Sequence, residues 1–175
     1  MEDGSDAAVR WSARVVLAIF FAAAFGKVAA SRGQGRSLGG RLFRIAWPLG
    51  AIALVGHVLV AFALVHDWSH GRAYEHTAER TGRWIGRRIG WGVYWNYAMA
   101  AFWTLDAIWL ALAPQSYRQR PQAVDAFLWT FFSFMVVSAA AVFEGGPTRW
   151  GTIAATAGLA LFAYATWRDR ALPGG

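Results

Sequence analysis

Apolar residues in this chain come in long runs rather than at alternating positions, and five of the runs approach the length needed to cross a bilayer. A hydrocarbon core about 30 Å thick takes roughly 20 predominantly apolar residues at about 1.5 Å rise each. The runs extend from about Val9 to Ala30, Ile45 to Val65, Trp91 to Ala113, Ala126 to Phe143 and Trp150 to Trp167, the last two being the shortest. Breakers stand between them: Gly33, Gly35, Gly39 and Gly40 after the first, Pro114 and Pro121 after the third, Gly145, Gly146 and Pro147 after the fourth. Only the second connection, residues 66–90, is long. The pattern predicts an all-α, polytopic integral membrane helical bundle of about five transmembrane helices, forming one domain over residues 1–175.

Tryptophan placement agrees. Trp11, Trp47, Trp68, Trp91, Trp129, Trp150 and Trp167 fall near the ends of runs, where an amphipathic ring prefers the head-group level. Trp103 lies inside the third run and is expected to pack between helices. Arg10 and Arg14 before an apolar stretch reaching Ala22-Ala23-Ala24 also fit a cleaved signal peptide, which would leave four helices. The apolar character continues past that point around Lys27, which favours a retained span.

Composition moves the reading further toward lipid. At 175 residues the chain suits a single domain, and 57% hydrophobic residues with a mean hydropathy of +0.31 is too apolar for an ordinary soluble one. A net charge of +7 would fit nucleic acid, but the basic residues sit in short segments between the runs, so they are read as topology signals facing anionic lipid head groups, with no nucleic-acid partner. The 17 Lys and Arg residues divide almost evenly between the two faces that five spans define, so orientation stays undecided. The expected setting is multi-pass, in a bacterial-type cell membrane, with the lipid bilayer as partner. Homo- or hetero-oligomers are open through small-residue pairs such as Gly151 with Ala155 and Ala154 with Gly158.

The 66–90 connection carries most of the candidate chemistry, with three of the four histidines. In a continuous helix His66 and His70 share a face at i, i+4, a spacing that presents two imidazoles to one metal. His76 and the carboxylates Asp67, Glu75, Glu79 and Glu144 are the further ligand candidates for a divalent transition metal. The bland alternative is an interfacial helix whose histidines bond to neighbours and in which Glu79 pairs with Arg83. Gly82, Gly86 and Gly90 recur every fourth residue and suit close helix approach; a phosphate loop is excluded by the absence of a preceding strand and of Lys.

The Trp68-Ser69-His70 and Tyr74-Glu75-His76-Thr77-Ala78 stretches resemble a His-Trp-Ser-His / Tyr-Glu-His-Thr-Ala loop of small bacterial integral membrane proteins without an assigned function. The resemblance covers about residues 66–78 and implies a membrane setting but no activity.

Two ionisable groups are read as intramembrane, His57 in the second run and Asp106 in the third, with Asn96 as a further polar residue there. His57 is expected to bond to Asn96, Tyr97 or Thr104. A lone carboxylate in a span costs about 2.5 to 3.5 kcal/mol on insertion scales, so Asp106 is expected to pair with Lys27 or Arg44, or else to serve an ion or proton pathway. Zero cysteines exclude disulfides and thiolate sites. Four histidines are too few for the membrane desaturase pattern, one in-span histidine gives no bis-histidine haem within a monomer, and neither an acyl-transfer serine motif nor di-iron carboxylates are present. Three readings remain: a structural or accessory membrane component, a His/carboxylate metal enzyme or metal carrier, and a small ion or proton transporter using His57 and Asp106. Whether the chain is an enzyme is left open.

Overall fold

The computed structural model describes residues 4–31, 38–143 and 146–171, and among them the chain forms helices and no strand. The elements are α1 (Gly4–Ala30), α2 (Leu38–Leu64), α3 (His70–Ile85), α4 (Gly92–Leu112), α5 (Pro114–Arg118), α6 (Gln122–Phe143) and α7 (Gly146–Ala171). Five of them contain the five apolar runs. Several start earlier than hydropathy predicts, α1 at Gly4 and α2 at Leu38, because backbone hydrogen bonding continues through polar residues that an apolar window excludes. Arg32, Gly33, Gly35, Arg36, Glu144 and Gly145, which the sequence argument used, lie outside the described residues.

Three helices are long and apolar enough to cross a membrane: α1, α2 and α6. The other two, α4 with 21 residues and α7 with 26, have the length, but Trp, Tyr, Asn, Gly and Thr dilute their hydropathy. Large apolar side chains nevertheless face outward on all five, among them Ile52, Leu105, Phe134 and Leu161. A surface of that kind is suited to lipid rather than water.

Gly39 and Gly40, expected to interrupt the chain, are helical. A Cβ on Gly26 would stand 2.9 Å from the Gly39 carbonyl oxygen, and one on Gly39 would stand 2.7 Å from that of Gly26, so α1 and α2 touch backbone to backbone. This antiparallel pair packs with α4 and α6; α7 leans on α1 and α6, and α3 lies across one end against α4 and α6.

Phe20, Trp47, Trp103 and Phe132 are the largest fully buried side chains, one each from α1, α2, α4 and α6. Each stands nine or ten residues from the helix end remote from α3, so the four form one layer across the bundle. Trp47 and Trp103 have ring centroids 4.8 Å apart, Trp47 and Phe132 5.4 Å, Phe20 and Trp103 5.7 Å. Trp103 packs between helices as expected. Trp47 does not belong to the head-group belt: its indole is the centre of the core, and Trp129 packs on it at 4.9 Å.

Candidate functional site

The end of the bundle under α3 is built by a break in the chain. After α2 ends at Leu64, Asp67 and Trp68 take φ of 45° and 57°, a left-handed conformation that side-chain-bearing residues seldom adopt, and the helix cannot continue. Ser69 then caps α3, its Oγ accepting from the Arg72 N–H at 3.3 Å, and Arg72 pairs with Asp67. At the far end Gly86 takes φ 74° and its N–H returns to the Gly82 carbonyl, so the Gly82, Gly86, Gly90 stripe is a helix stop and not a continuous packing face. The strongly amphipathic α3 turns Ala73, Thr77 and Ala78 onto the bundle.

Beneath it lies a cavity of about 230 Å³ walled by α1, α2, α3, α4 and α6. Its lining is graded along the helix axes. Asp6, Arg10, His66, His76 and Arg80 stand toward the α3 end beside the apolar Val65, Val93 and Phe143, His57 lies deeper, and Val16, Leu54, Met99, Met135 and Val136 form an apolar floor. On α1 the lining runs from Asp6 to Leu17, about 16 Å at about 1.5 Å per residue. The aromatic layer closes the floor.

The histidines separate. Because the turn intervenes, His66 and His70 are not in helical phase: His66 faces His76 with ring centroids 5.3 Å apart, while His70 meets the hydroxyls of Tyr97 (Nδ1, 3.0 Å) and Tyr94 (Nε2, 3.2 Å) on the exposed side. Glu75 is drawn off by Arg88 at 2.8 Å, Glu79 is exposed, and Glu144 lies outside the described residues. Among the described residues no three His, Asp or Glu side chains come together as a metal site would need. Desolvation holds His66 below the ordinary imidazole value. It does the same to His76, where the charges of Arg80, His66 and Arg83 add to the effect and Glu79 opposes it.

His57 bonds to none of its expected partners. Its Nδ1 lies 2.9 Å from Ser12 Oγ, which also lies 2.9 Å from the Val9 carbonyl oxygen. Ser12 carried no signal in the sequence beyond being a hydroxyl one α-helical span away.

Asp106 sits beyond the aromatic layer, at the α5 end. It is buried and paired, but with Arg120 at 2.5 Å rather than Lys27 or Arg44, and it also accepts from Trp47 Nε1 at 2.7 Å and Tyr117 OH at 2.9 Å. Arg120 extends to Asp125, which takes Lys27 as its second cation at 2.5 Å. Burial and the Asp106 charge push the Tyr117 hydroxyl well above its ordinary range, so it stays a donor. Lys27 also lies over the Trp129 ring at 4.8 Å. The short α5, invisible to a hydropathy scan, starts with Pro114 and delivers Tyr117 into the cluster just ahead of Arg120.

No family model, no curated protein and no solved structure matches this chain. Its chemistry therefore rests on these residues alone.

Proposed function

We propose that this chain is a five-span membrane protein that binds a small amphipathic molecule in the cavity under α3, a binding component of the bilayer with no catalysis of its own. The observation that carries the reading is the graded lining: its charged side chains all stand toward the α3 end, and its floor toward the bundle centre is apolar. That order matches a ligand with one wet and one dry end, and concave, mostly apolar sites with a few polar groups are where small molecules bind. The cavity of about 230 Å³ leaves its apolar floor without packing partners. Water relieves the polar rim but not a floor of Val, Leu and Met. An occupant with an apolar tail relieves both.

The five-span assignment draws support from the outward apolar side chains of α4 and α7. A transport path joining His57 to Asp106 would have to pass the aromatic layer, which is why binding is preferred over conduction. The accessory role expected from the sequence is kept and given a content. The contact of His66 with His76 favours a second reading, two imidazoles contributing to a metal at the cavity mouth.

The test is purification in a mild detergent followed by native mass spectrometry and lipid extraction. A stoichiometric amphiphile is expected in the parent and should be lost when Ala61→Leu and Ala139→Leu fill the cavity. A parent carrying nothing, and showing no saturable uptake of a fluorescent amphiphile, would end this reading.

A further inference from the structure

One polar group at the cavity mouth has no partner. Arg80 stands one helical turn after His76 on α3 and lines the cavity, and its Nε is buried without a hydrogen bond. A guanidinium N–H withdrawn from water and left unbonded is costly, and native folds rarely leave one so. Of the described carboxylates around it, Glu75 is held by Arg88, Glu79 is exposed, and Asp6 at the same mouth forms no ion pair with it. The charged described residues lining the mouth are Asp6, Arg10 and Arg80.

The geometry points to Arg80 as the anchor for an anionic head group, so that the ligand is a single-chain amphiphile ending in a carboxylate. The inference rests on the cavity reading and adds the charge and shape of the head. Nε and a terminal nitrogen of a guanidinium form a fork whose two parallel donors match the two oxygens of a carboxylate. A phosphate head offers oxygens to the same fork but carries more charge, and comparing dodecanoate with dodecyl phosphate separates the two. The tail then descends past His57 and Asn96 to Met99 and Met135.

The protein in phosphatidylcholine nanodiscs, loaded with a dansyl-labelled fatty acid, is titrated with dodecanoate, dodecanol, dodecyl phosphate and acetate. Dodecanoate should displace the label at least tenfold more tightly than dodecanol, and acetate should not compete. Arg80→Gln should erase that preference without moving dodecanol, and Arg80→Lys, keeping charge but losing the fork, should retain part of it. Folding of each variant is read by circular dichroism.

Equal affinity of dodecanoate and dodecanol in the parent would overturn the anion anchor and leave the cavity reading standing, with water then satisfying Nε. Tighter binding of dodecyl phosphate would overturn the carboxylate, and competition by acetate alone would mean a free small-anion site. If no chain-bearing competitor binds, the cavity reading falls together with the anchor.

Discussion

Replacing Asp106 by Asn tests whether the α5-end cluster holds the bundle together. The change is isosteric, so it opens no void, but it removes the only carboxylate that faces Trp47, Tyr117 and Arg120 at once. The amide offers one acceptor where the carboxylate offers two, and it turns an N–H toward either the guanidinium or the indole and phenol donors. Breaking a buried ion pair by removing one partner costs about 3 to 5 kcal/mol. Because Arg120 keeps Asp125, the lower end applies here, about 3 kcal/mol. At roughly 2 to 4 °C per kcal/mol for a chain of this size, the midpoint should fall by roughly 6 to 12 °C. The assay is thermal unfolding in a mild nonionic detergent followed by tryptophan fluorescence, since Trp47 and Trp103 report directly on the core. Arg120→Gln should destabilise comparably, and the double variant should lose less than the sum of the two. A midpoint within about 2 °C of the parent for Asp106→Asn would refute the assignment, because it lies below the smallest loss that the pair arithmetic allows.

The depressed imidazoles of His66 and His76 bind fewer protons in the folded chain than in the unfolded one, so their contribution to stability is complete above about pH 6.5 and is lost as pH falls through the lower folded values. The melting midpoint should drop on acidification from about pH 6.5, and His66→Gln with His76→Gln should flatten that slope; an unchanged slope would mean that other groups carry it. Elemental analysis of tag-free protein is expected to give less than one transition metal per chain, since His70 is engaged by Tyr94 and Tyr97 and two imidazoles make a weak site; stoichiometric metal lost in both His66→Ala and His76→Ala would establish the second reading. Reporter fusions after Arg72 and after Arg170 should give opposite signals, because α3 and the N-terminal turns of α1 line one end while the Phe25 to Phe162 contact carries α7 back toward the other; matching signals would remove a span.

Hydropathy located the long helices because burial in lipid asks for length and apolarity, both of which are written locally. It did not separate belt from core tryptophans, since Trp47 near a run's edge and Trp103 inside one look alike until helix phase brings both rings to the same layer. The expectation that Asp106 would be paired was sound, because the cost of a lone carboxylate is general. Its partner was not legible: Arg120 lies beyond a five-residue helix whose register depends on Pro114 and Tyr117. The His66 and His70 pairing was drawn from an unbroken helix, whereas Asp67 and Trp68 take a left-handed turn between them. The orphaned Arg80 nitrogen has no sequence signature at all.

The cavity follows from side-chain volume rather than from any parting of the helices. Three of the four helices that supply the aromatic layer, α1, α2 and α6, present Ala13, Ala61, Ala139 and Ala140, with Ala73 from α3, to the space above it. Large side chains at one level and small ones at the next are what a bundle requires to be sealed in its middle and hollow at one end. Rigidity is concentrated on the opposite side of that seal, in the Gly26 and Gly39 backbone contact and the Asp106, Arg120, Asp125 and Lys27 chain of charges. The described ion pairs made by α3 and its flanking turns are Arg72 with Asp67 and Arg88 with Glu75, both exposed and so worth little. On the proposed binding reading, the α3 end is therefore where local opening is expected to cost least while the far end stays folded.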